Sequence, residues 1–153
     1  MRLFLTLKIY KQFKFYMKNF LIVLFLASLS SSVFGQSLTE KNIHGKWKVV
    51  KLIVKSTKPE LAPLFKGFEN ATFTFNPNGN FELTTTSQSE LFGMITEMTN
   101  GTKWKLEKAK QCLLIGNEAN HYSIMGIFVK ETNGKILFNL DETGIIMEMK
   151  KME

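Results

Sequence analysis

The chain has 153 residues, 44% hydrophobic and 22% charged, with a formal charge of +7, a composition that suits one soluble domain. Five of the 20 basic residues (Arg2, Lys8, Lys11, Lys14 and Lys18) precede position 36 with no acidic residue among them, which leaves fifteen against 13, or +2, for the rest. That excess is too small to argue for nucleic acid or an anionic membrane, and with Cys112 as the single cysteine an internal disulfide is excluded, so core burial alone must hold the domain together.

Residues 17–35 read as a complete secretory signal. Lys18 is the charged start, 20–29 an apolar stretch of roughly ten residues, and Val33 and Gly35 the small residues before a cut. We expect Met17 to be the true start, cleavage between Gly35 and Gln36, and a secreted or periplasmic product. A membrane anchor needs about twenty apolar residues, and Lys18 with the serines of 28–32 cut this run short, so the mature domain is not expected to span a membrane. A lipoprotein would need a cysteine where Gln36 stands.

After a polar lead, 46–55 is rich in Val, Ile and Leu and reads as a strand with Trp47, Val49 and Ile53 on one face. Thr57-Lys58-Pro59-Glu60 has capping-box spacing, and Leu61, Leu64, Phe65 and Phe68 then share a helical stripe. Pro63 spoils a regular helix, so one or two distorted turns ending at Gly67 are expected. The segments 71–75 and 80–86 alternate cleanly about Asn76-Pro77-Asn78-Gly79, a turn in which Pro77 presets one angle and Gly79 accepts a positive one.

Next, Ser87 and Glu90 are spaced as a capping box, and Leu91, Met94, Ile95 and Met98 share a stripe, predicting a short helix or ordered flap. Strands are predicted at 102–106, 111–115 and 122–130. Asn133-Gly134 favours a tight hairpin into a strand at 135–140, and a turn at 141–144 delivers the last at 145–150. Eight strands in sequence order make an antiparallel meander, and closing it into a barrel removes its two edges.

Gly45-Lys46-Trp47-Lys48-Val49-Val50, just after a signal and opening an all-β meander, resembles the first signature of the calycin group, most closely the small bacterial lipocalin-like domains. The similarity covers 44–149, with Asn76-Pro77-Asn78-Gly79 and Gly101-Thr102-Lys103-Trp104-Lys105-Leu106 where such a domain would put them. It implies an all-β fold for 36–153, an eight-stranded antiparallel up-and-down β-barrel with one or two short helical segments. It also implies that Trp47 plugs the closed end and that Gly45 lets the chain pass beneath. In the family that plug is usually covered by an arginine from the last strand, and fatty-acid-binding relatives hold a carboxylate with internal arginines. No arginine follows Arg2 here, which disfavours an acid-headed lipid, since lysine offers a point charge and no planar fork.

Chemistry-bearing residues are scarce. His44, His121, Cys112 and scattered carboxylates show no nucleophile, base and orienting acid at a catalytic spacing, so an enzyme is not expected, with His121 beside Glu118 the weakest remaining candidate. Two histidines in separate segments make no metal site, and methionines such as Met125, Met147 and Met149 are apolar filler rather than ligands for a soft metal. No cofactor is expected. The lysines alternate with apolar residues as an outer barrel face would.

The remaining signal is aromatic. Trp47, Phe73, Phe75, Phe81, Leu83, Trp104, Tyr122, Phe128, Phe138 and Met147 either fill the barrel or line a cavity gated by Leu91, Met94, Ile95 and Met98. The leading expectation is an exported, non-catalytic lipocalin-like protein that binds a small apolar molecule. The rival is a cell-envelope protein-interaction module with a filled core.

Overall fold

A computed structural model describes residues 38–54 and 59–153. The leader, its cleavage site, and Thr57 and Lys58 of the expected capping box lie outside the described residues. In chain order the elements are helix α1 (Glu40–Ile43), β1 (Gly45–Val54), a 3₁₀ turn (Pro59–Leu61), α2 (Ala62–Glu69), β2 (Ala71–Phe75), β3 (Phe81–Thr85), α3 (Glu90–Thr99), β4 (Lys103–Glu107), a second 3₁₀ turn (Lys108–Lys110), β5 (Cys112–Gly116), β6 (Met125–Thr132), β7 (Lys135–Leu140) and β8 (Ile145–Lys151).

The eight strands form one antiparallel sheet in the order β3-β2-β1-β8-β7-β6-β5-β4, a nearly closed up-and-down barrel consistent with a lipocalin-like fold. The first and last strands pair along their length, from Trp47 opposite Lys151 to Val54 opposite Ile146. The seam lies instead between β3 and β4, the pair separated in sequence by α3. There Asn80 and Lys103 form a lone bridge, flanked by the Phe81 N–H on the Thr102 carbonyl at 3.0 Å and the Trp104 N–H on the Gly79 carbonyl at 2.9 Å.

The turns follow the chemistry of their residues. The Gly79 N–H donates to the Asn76 carbonyl at 2.9 Å, and Asn133 and Gly134 both take positive φ (52° and 71°), as a tight hairpin turn with the sheet's own twist requires.

The core is aromatic. Phe73, Phe75 and Phe138 are 0% exposed, with Phe138 edge-on to Phe73 at 5.8 Å and to Phe75 at 6.1 Å. At one end the Trp47 indole N–H donates to the Ile43 carbonyl at 2.7 Å, and its ring lies 5.6 Å from that of Phe138. The Lys151 ammonium sits 5.6 Å from the centre of the Trp47 ring and donates to the Asn42 carbonyl at 2.9 Å. A lysine from the last strand thus stands where the resemblance leads one to look for an arginine.

Three sequence expectations need correction. Trp47 and Val49 face the core, but Ile53 is exposed: register shifts between Val49 and Lys51 and between Leu52 and Val54 each add a residue to β1 and reverse its alternation, so Leu52 turns toward the core instead. The strand expected from residue 122 starts at Met125, because His121 and Tyr122 are held at positive φ (53° and 59°). And α2 does not stop at Gly67 but runs to Glu69, with Pro63 in its first turn, where a missing N–H costs nothing.

Candidate functional site

Two helices and the strand ends opposite them make the site. The α3 helix is capped by Ser89, whose hydroxyl accepts from the Phe92 N–H at 3.3 Å, rather than by Ser87. Its buried positions are Phe92 and Thr99, one step round from the stripe expected, because Phe92 inserts against Gly67 of α2. A β-carbon on Gly67 would lie 2.6 Å from the Phe92 Cβ and overlap its ring. Phe92 then meets Phe68 edge-on at 4.9 Å, and Phe68 stacks on Phe73 at 6.3 Å, joining the helix pair to the barrel core. The Asn100 side chain accepts from the Leu83 N–H at 2.7 Å and fixes the far end of α3 to β3.

Between these helices and the strand ends lies a cleft of about 720 Å³. Its apolar wall comes from Leu61, Leu64 and Phe68 on one side, Ile95 and Met98 of α3, and Met125 and Leu140 opposite. Its polar border is made by Glu107, Lys110, His121, Asp141 and Glu142. Glu107 is paired to Lys110 at 3.0 Å, while the Asp141 carboxylate accepts from the Glu142 N–H at 3.0 Å.

The loop beside the cleft is strained and held by asparagines. Asn120 Oδ1 accepts from the Asn117 N–H at 2.8 Å and the Tyr122 N–H at 3.1 Å, which supports two successive non-glycine residues in the left-handed region. Such strain persists only where surrounding bonds over-determine it. His121 meets Glu118 through its backbone N–H alone, at 3.2 Å from the carbonyl.

The expected cavity residues separate into groups. Phe73, Phe75, Phe81, Leu83, Phe138 and Met147 are at most 1% exposed and pack against one another as the solid centre of the barrel. Trp47 and Trp104 are buried at its border, and the Trp104 indole N–H donates to the Asn76 carbonyl at 3.0 Å. Phe128 pairs with Cys112 and Asn139, on the face opposite the core residues Ile127 and Val129. Tyr122 lies in a turn and not on a strand, where it lines the cleft with the Lys105 ammonium 4.3 Å from its ring centre.

Of the expected flap, Ile95 and Met98 line the cleft. Leu91 borders a separate groove of about 550 Å³ with Ala62, Pro63 and Glu90, and Met94 is 59% exposed. Leu61, Leu64 and Phe68 were legible as a helical stripe, but no signal in the sequence sets them across from Leu140 and Asp141.

Cys112 is buried, and burial pushes its thiol above the ordinary 9.0. The Asp141 and Glu107 carboxylates push the same way, against a backbone hydrogen bond from Ile127 and the Lys110 charge. The neutral thiol is therefore the form the fold favours. Below the unfolded pKa, about 8.5, both states hold the proton and stability is level. As pH rises through the folded pKa the advantage of the folded state is lost. We predict that iodoacetamide alkylates Cys112 of the native protein at pH 8 many-fold more slowly than in urea, and that stability falls as pH rises above about 8.5 by less in Cys112→Ala.

Among the described residues no group of three or more His, Cys, Asp or Glu is placed to hold a metal, and no helix is long and apolar enough to cross a membrane. No protein family, curated protein or solved structure matches the chain.

Proposed function

We propose that the chain is an exported, non-catalytic barrel that binds a small molecule with an apolar body and a polar end, in the cleft between the helix pair and the strand ends rather than in the barrel centre. The observation that carries this reading is the cleft itself. Its size, about 720 Å³, falls in the range of small-molecule sites, and its apolar wall with a few convergent polar groups has their usual composition. The barrel supports it by rigidity, since Phe68 is anchored in the core while Ile95 and Met98 ride on a helix outside the sheet.

The polar border selects the polar end. Asp141 and Glu142 add negative charge that Lys110, already bonded to Glu107, does not offset. A neutral or cationic head is favoured over a carboxylate, in keeping with the lack of arginine. The rival reading, a protein-interaction module, draws on the filled barrel centre and on Met94 and Met98, both 59% exposed.

Titration of the purified protein with an environment-sensitive apolar dye, displaced by neutral and cationic amphiphiles, tests the proposal. Saturable binding at one site is expected, weakened about tenfold or more in Met98→Lys, a change at an exposed position that leaves folding intact. Absence of saturable binding, or a Kd unchanged in Met98→Lys, would falsify the cleft as the site. N-terminal sequencing of the exported product tests the export half of the proposal, with Gln36 expected as its first residue.

A further inference from the structure

We propose that the outer face of β1, β8, β7 and β6 is a docking surface for an anionic lipid bilayer. The cross-strand register gathers lysines there: Lys48 stands directly opposite Lys150, and Lys51 opposite Glu148. Glu148 in turn faces Leu137, which faces Lys130. Lys46 and Lys135 complete six exposed ammonium groups. Against them stands one outward carboxylate on these four strands, Glu148, already held by Lys135 at 3.0 Å, while Glu82 closes the Lys46 row two strands away on β3. The small net charge of residues 36–153 therefore hides a segregation: it is one face of the sheet that is basic.

Apolar side chains decide which anion the face fits. The register shift between Val49 and Lys51 turns Ile53 to the outward side that Val50 already occupies, leaving them 44% and 54% exposed, and Met152, next to Lys46 at the other end of β1, is 46% exposed. Protruding aliphatic groups among lysines match the boundary between headgroups and acyl chains, where ammonium groups meet lipid phosphates and apolar groups enter the hydrocarbon. This face holds no arginine, and its one ring, Phe128 of β6, is half-buried, so it lacks the exposed forks and stacking platforms of nucleic acid readers.

A second observation is energetic. Like charges directly opposite on neighbouring strands destabilise a sheet, so Lys48 facing Lys150 is a cost to the fold that a purely structural face has no reason to carry. None of these side chains lines the cleft, so the surface stands independently of the ligand proposal.

Co-sedimentation of the full chain with phosphatidylglycerol–phosphatidylcholine vesicles and with phosphatidylcholine vesicles, at low and high salt, tests the surface. The leader is common to all variants, so differences between them report the face. Lys48→Gln/Lys150→Gln is expected to lose about 25-fold in partition onto the anionic vesicles, at roughly fivefold per lysine, while melting no lower than the parent. Val50→Ser/Ile53→Ser is expected to lose several-fold with its salt dependence intact. The proposal is overturned if both double variants bind as the parent does, if the two vesicle types bind equally, or if the charge-dependent binding is to DNA or heparin and not to vesicles.

Discussion

Phe138→Ala is expected to lower the unfolding free energy by about 3–5 kcal/mol, the cost of removing a buried phenyl ring from a core that cannot collapse around the gap. Collapse is blocked because Phe138 touches three other anchored rings, those of Phe73, Phe75 and Trp47. Phe73 and Phe75 sit on β2, paired on both sides by β1 and β3, and Trp47 is tied by its indole N–H to Ile43. Urea unfolding of the variant should show the midpoint shift at an unchanged slope. A loss below about 1 kcal/mol would mean that the barrel centre is loosely packed, and would reopen it as a ligand cavity.

Gly67→Ala carries the second large effect, and its sign distinguishes packing from propensity. In an exposed helix interior the change would stabilise by up to about 1 kcal/mol. Here the new β-carbon would overlap the Phe92 ring and push α3 away from α2, so a net loss of about 2–3 kcal/mol is expected. Because Phe68 stands between Phe92 and the core, the displacement also reaches the wall of the cleft, and dye binding should weaken with stability. The double-mutant cycle with Phe92→Ala is the check: in that background Gly67→Ala should become neutral or stabilising. If the loss persists without the ring, Gly67 is required for some reason other than the contact with Phe92.

The strands and turns were legible because their signals are local. Asn76-Pro77-Asn78-Gly79 and Asn133-Gly134 name their turns through the backbone angles each residue tolerates, and the alternation of Phe73, Phe75, Phe81 and Leu83 against Thr72, Thr74, Glu82 and Thr84 assigns a buried face without knowledge of partners. Features that depend on pairing leave no such local signal. Simple alternation puts Ile53 with Trp47 and Val49, because an extra residue in a strand carries no mark of its own, yet it reverses every side chain beyond it. The strand predicted from 122 loses Tyr122 because Asn117 and Asn120 claim the backbone there for a turn. On α3 the stripe through Leu91, Met94, Ile95 and Met98 is as apolar as the face that packs, and only the missing side chain at Gly67 decides that Phe92 goes inward.

The site followed the same division. Its helical walls, Leu64 and Phe68 with Ile95 and Met98, were visible as amphipathic stripes, while Met125, Leu140 and Asp141 entered it from segments distant in sequence. Period, turn residues and composition act over a few neighbours, and they were enough to specify an all-β meander with a tryptophan-led first strand and two helical insertions. That the aromatic residues fill the barrel, that the cleft lies beside it and that the lysines share one outer face follows from packing, register and strand order, which set distances between residues that local chemistry leaves free.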